Sequence, residues 1–126
     1  MEKLLNLSNH NLSDLQNEEL KSLGFEVVEL QEEDKKMWSQ LTPFNYKAIC
    51  DDILTKYEVK GYHVAGFPPA VNYFCSRTDK TCYYAYSERK TIETKDETGK
   101  MIKTSIFNHK GFFLINKKII RGQVVL

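Results

Sequence analysis

The chain has 126 residues, 41% hydrophobic and 28% charged, which fits one globular domain and excludes a disordered chain or two full enzymatic domains. The net charge of +1 gives no global pull toward nucleic acid, but it conceals a split. Residues 1–58 carry 6 basic and 12 acidic groups (net −6), residues 59–86 carry 3 and 1 (net +2), and residues 87–126 carry 9 and 4 (net +5).

In chain order, Lys3 to Leu7 is a strand ending in the polar run Ser8-Asn9-His10-Asn11. A helix follows, with Ser13 as N-cap, Gln16 as its capping-box partner and Gly24 at C′. Phe25 to Leu30 is a second strand, and Glu32 to Gln40 a short acidic, amphipathic helix. Thr42-Pro43 opens the next helix, which repeats Tyr46, Ile49, Cys50, Ile53, Leu54 and Tyr57 at helical spacing to about Glu58. Gly61 to Ala65 is a third strand, Gly66 to Pro69 a loop, and Pro69 the start of a helix through Arg77. Thr81 to Tyr86 is a fourth strand, rich in aromatics. Arg89 to Lys95 and Met101 to Asn108 flank the turn residues Asp96-Glu97-Thr98-Gly99 and form a hairpin; Phe112 to Ile115 adds a short strand. The domain spans 1–115, and 116–126 is an extension with no assigned role.

Alternating strands and helices predict an α/β fold: a mainly parallel sheet, helices on both faces, and a C-terminal hairpin. Ligands of such sheets bind beyond the carboxyl ends of the strands. Ser8-Asn9-His10, Gly66-Phe67-Pro68 and Ser87-Glu88-Arg89-Lys90 are expected to converge there. Small polar groups at a strand-to-helix turn suit an anion, Gly66 lets a ligand approach the backbone, and Arg89 with Lys90 suits a phosphate. His10 is the acid/base candidate by position, whereas His63 reads as a satisfied core histidine. The three cysteines, Cys50, Cys75 and Cys82, form no C-x-x-C spacing and read as buried thiols of a reduced, cytoplasmic protein. No metal site is expected, and no apolar run is long enough to cross a membrane. The glycine-rich dinucleotide and P-loop signatures do not occur.

The segments Leu4 to His10, Ala65 to Val71 and Tyr84 to Lys90, with the hairpin to Ile106-Phe107-Asn108-His109, resemble the small stand-alone CRISPR-associated Rossmann-fold (CARF-like) proteins of type III systems. The resemblance covers about residues 3–113. It implies a Rossmann-like homodimer that binds cyclic oligoadenylate, most often cyclic tetra-adenylate, across a two-fold axis. It also implies a ring nuclease, in which a ribose 2′-OH attacks the adjacent phosphate without metal or other cofactor, leaving a 2′,3′-cyclic phosphate. The resemblance puts His10, Arg89 and Ser8 in the catalytic roles. Asn9, Gly66, Phe67, Pro68, Ser87, Glu88 and Lys90 join them as ligand contacts. DNA and membrane are not expected partners. A non-catalytic cyclic-oligoadenylate sensor or sponge, and an interaction protein of the CRISPR apparatus without a nucleotide ligand, are the alternatives.

Overall fold

A computed structural model describes residues 1–115 together with the backbone of Ile119–Ile120 and Gln123–Val124, so the proposed 116–126 extension lies largely outside the described residues. The main sheet contains β1 (Glu2–Leu7), β2 (Phe25–Glu29), β3 (Gly61–Val64), β4 (Thr81–Lys95) and β5 (Met101–Leu114). Its order is β2-β1-β3-β4-β5, with the first four strands parallel and β5 antiparallel to β4. The short segments β6 (Ile119–Ile120) and β7 (Gln123–Val124) pair with each other. Four helices, α1 (Asp14–Ser22), α2 (Glu32–Trp38), α3 (Tyr46–Lys56) and α4 (Pro68–Arg77), fill the connections. The fold is therefore α/β with a mixed, mostly parallel sheet. No described helix is long and apolar enough to cross a membrane.

Neighbouring residues on a strand point to opposite faces, and β3 shows how the layers divide. Tyr62 packs its ring on Phe74 of α4, with centroids 4.8 Å apart. His63 faces the other way and meets Phe112 of β5, whose ring contacts His109, itself bonded to Glu19 of α1. So α4, with α3 packed on it, covers one face, and α1 covers the other. Leu5, Leu7, Ile49, Ile53, Tyr62, Val64 and Phe74 make the core of the α4 face. All three cysteines are buried, and none is in a disulfide.

Local chemistry sets several boundaries. Ser13 and Gln16 form the capping box at α1: the Gln16 N–H donates to Ser13 Oγ, and the Ser13 N–H to Gln16 Oε1. At Thr42 the hydroxyl accepts from the Phe44 N–H, and Asn45 and Tyr46 both donate to the Thr42 carbonyl. The chain thus makes a turn at Thr42-Pro43, and the helix expected to open there begins only at Tyr46, after Asn45. Both Pro68 and Pro69 stand in the first turn of α4, where a missing N–H costs no helical bond.

The largest departure from the sequence reading is at β4. It does not stop at Tyr86 but runs unbroken to Lys95, and β5 runs from Met101 to Leu114 with an irregularity opposite Tyr86/Ser87. β3 pairs with β4 only as far as Tyr83. Beyond it the two strands continue alone, as an arm reaching roughly 35–40 Å past the sheet. At its tip, Asp96 accepts from the Thr98 N–H, the Thr98 hydroxyl and the Lys100 N–H. Those bonds hold its carboxyl below the ordinary aspartate value.

Candidate functional site

The chain leaves β1 toward α1 on one face and leaves β3 toward α4 on the other, and the region between these two loops, at the carboxyl ends of adjacent strands, is where sheets of this topology form a ligand crevice. On the α1 side, register aligns Glu29, Asn6, His63 and Tyr83 in a row across β2, β1, β3 and β4. Asn6 is its hub. Its amide donates to Glu29 Oε2 (3.1 Å) and to the His10 carbonyl (2.9 Å). Its Oδ1 accepts from the Ser8 hydroxyl (2.7 Å) and lies 2.9 Å from His63 Nδ1. The two acceptors facing the amide nitrogen fix its orientation, so Nδ1 of His63 carries the proton and Nε2 presents a lone pair.

His63 is 5% exposed. Burial, and then the nearby charge of His10, lower its pKa to about 4. Nε2 has no partner among the described residues. It is also not among the sealed atoms, since His109 Nδ1 is the one described polar side-chain atom both buried and unbonded. Nε2 therefore keeps a contact with solvent. His109 uses its other nitrogen on Glu19 Oε2 at 2.6 Å, joining the root of the arm to α1.

Sequence reasoning took His63 for a satisfied core histidine. It is buried and its Nδ1 is satisfied, in line with that reading, while its Nε2 has no partner among the described residues. Asn6 was missed altogether. The signal available was a lone amide inside the apolar run Leu4-Leu5-Asn6-Leu7, a polar side chain that needs a buried partner.

The remaining candidates separate into groups. Ser8 is buried, and its hydroxyl is spent on Asn6 and the turn at His10, which leaves it a positioning role. His10 is exposed at the rim. Asn9 borders a separate cavity of about 320 Å³ with Glu32, Lys35, Lys36 and Ser39. Gly66 and Pro68 line a cavity of about 390 Å³ on the α4 side, together with Val64, Val71, Asn72, Tyr84 and Ile115. Phe67 instead packs edge-on against Tyr46 and joins the core.

Gly66 has a structural reason to be glycine. Its φ is +147°, and a Cβ there would come within 3.0 Å of the Trp38 indole nitrogen, which donates to the Ala65 carbonyl.

Ser87, Glu88, Arg89 and Lys90 do not sit at a strand end. They lie along the arm, and Arg89 stands six residues beyond Tyr83, roughly 20 Å along β4. The convergence of three segments thus reduces to two at the crevice, with the third projecting past it. Arg89 Nε and Nη2 both donate to Ser105 Oγ, at 3.1 and 2.9 Å, which orients the guanidinium on an exposed surface.

Residues 2–113 match the family described as the Uncharacterized protein MJ1673 family. The chain belongs to that family. No curated protein and no solved structure matches it. The match covers the sheet, all four helices and nearly all of the arm, so the crevice and the arm lie within the family's domain.

Proposed function

We propose that this chain is a metal-independent ring nuclease. In this reading it binds cyclic oligoadenylate, with cyclic tetra-adenylate as the preferred ring, in a homodimer of Rossmann-like, CARF-like domains and ends type III CRISPR signalling in the cytoplasm. The family description names no activity, so the reading rests on the sequence resemblance and on the chemistry of the crevice. What supports it is a histidine-bearing polar cluster on the α1 face and an apolar cavity under Tyr84 on the α4 face, both near the carboxyl end of β3. An adenine suits the cavity, where Tyr84 offers a ring and Asn72 a hydrogen-bonding edge.

Cleavage needs the 2′-OH in line with the leaving 5′-oxygen. The 2′-oxygen bonds to phosphorus, the P–O5′ bond breaks, and the hydroxyl proton passes to a base while the leaving oxygen takes one from an acid. His10 at the rim, with the open Nε2 of His63 beside it, supplies such groups. Arg89, held on Ser105 roughly 20 Å along the arm from the crevice, is too far to touch a phosphate held there. Ser8 shapes the loop. Calorimetric titration with cyclic tetra-adenylate tests binding; saturable uptake supports the reading, and no heat at any ring size removes it. The sponge reading shares the binding step and differs in leaving the ring intact.

A further inference from the structure

Among the described residues the arm beyond Tyr83 is two strands wide, with no third strand paired to it and α1 packed only at its root, and isolated hairpins of this kind are marginal in water. Its two faces differ. One is mostly polar: register aligns Ser87 with His109, Arg89 with Phe107, Thr91 with Ser105 and Glu93 with Lys103, polar contacts tie Arg89 to Ser105 and Lys103 to Glu93, and its exposed apolar side chains, Phe107 and Met101, stand apart from each other. The other carries Tyr84, Tyr86, Phe113, Ile92, Ile102 and Ile106, each 38–45% exposed. The Tyr84 and Tyr86 rings both gather on Phe113. Between the aromatic end and the isoleucine end of this face stand Glu88 and Lys90.

We propose that this face is the docking surface for a second copy of the same chain, the two arms lying face to face and antiparallel about a two-fold axis near residue 89. The pattern is self-complementary in that arrangement. Reflection about position 89 sets Glu88 of one copy against Lys90 of the other, Tyr86 against Ile92, and the Tyr84/Phe113 row against the Thr94/Ile102 row. An isologous contact needs this kind of self-matching. The opposite registration, arms parallel, sets Glu88 on Glu88 and Lys90 on Lys90. The six apolar side chains leave roughly 500 Å² open per copy, so the pair buries about 1,000 Å², enough for a specific interface. Each tip would then reach Tyr84 at the rim of the other copy's cavity.

The arm contact requires no ligand, and its axis lies roughly 20 Å along β4 from each crevice; this pairing therefore differs from one in which a ring spans the axis, and it stands or falls separately from ring cleavage. Sedimentation of the ligand-free full chain over a wide concentration range tests it. The expected result is a species of twice the 14.7 kDa chain mass. Tyr86→Arg and Ile92→Arg should each weaken the dimer at least about 100-fold, a burial and charge effect on a central contact. Glu88→Lys and Lys90→Glu should each weaken it about tenfold, and the double exchange should return it to within about threefold of the parent. Circular dichroism checks that each variant folds, and the charge exchange decides the matter if the arginine variants do not. A chain that stays monomeric overturns the proposal, whatever else the face binds. So does a dimer indifferent to the arginine variants, or a double exchange no better than its singles.

Discussion

Asn6 and His63 lie opposite each other in the register of β1 and β3, and Asn6 Oδ1 holds His63 Nδ1 at 2.9 Å. One buried amide thereby sets the tautomer of the crevice histidine, ties β1 to Glu29 of β2, and closes the loop at His10. Replacing Asn6 by Ala strands the His63 N–H and takes a donor from Glu29 and from the His10 carbonyl, while the Ser8 hydroxyl keeps its bonds to the His10 turn. Urea unfolding of Asn6→Ala should show a loss of about 2–4 kcal/mol. A loss under about 0.5 kcal/mol contradicts the hub.

The same burial makes stability depend on pH. His63 titrates near 4 in the folded chain and near the ordinary value of about 6.5 when unfolded. Between those values the unfolded chain binds the extra proton. The contribution is fully present above about pH 6.5 and is lost as the pH falls through the window to 4, an effect of about 3 kcal/mol. The charged and titratable groups around the ring are His10, Glu29, Tyr83 and His109, with Glu19 behind His109. Unfolding of the parent and of His63→Gln at pH 7 and pH 5 isolates the His63 share. The parent should lose more stability than the variant, and equal losses contradict the assignment.

Gly66 offers a test of backbone origin. Ala at φ +147° is strained and presses its Cβ on the Trp38 indole. Gly66→Ala should cost about 1–3 kcal/mol. Trp38 is the one tryptophan of the chain, so its fluorescence reports the displacement directly. An unshifted spectrum with unchanged stability contradicts the contact.

Asp34 is buried and holds Lys56 Nζ at 2.9 Å and the Tyr57 hydroxyl at 2.6 Å. Burial pushes its carboxyl up, but the Tyr57 and Lys56 hydrogen bonds together pull it down further, and it ends below the ordinary value. Lys56 is 40% exposed and can turn to water, so Asp34→Ala should cost only about 1–2 kcal/mol. Asp34→Asn, which keeps an acceptor for Tyr57, should recover about half. Chemical denaturation of the pair checks the order.

Where structure follows from local chemistry, the sequence was readable. Ser13 and Gln16 cap α1, the Asp96–Gly99 turn closes the arm, and apolar periodicity finds α3. The arm's length was not readable. Ser87-Glu88 reads as a break between a fourth strand and a separate hairpin because neither face of a two-stranded arm is buried by its own chain, so the strand carries no apolar alternation there. Merging those residues into β4 moves Arg89 away from the strand ends where a shorter β4 would leave it. The His63 lone pair was hidden for a different reason. It depends on which atom of Asn6 faces the ring, a matter of register between strands 57 residues apart.

The central claim is cleavage of a cyclic nucleotide ring, and product analysis tests it most directly. The purified chain is incubated with cyclic tri-, tetra- and hexa-adenylate, with and without a chelator, and the products are resolved by mass. The account predicts linear fragments ending in 2′,3′-cyclic phosphate, formed equally with chelator. His10→Ala should slow their formation at least about 100-fold. Rings recovered intact after prolonged incubation at excess protein contradict it.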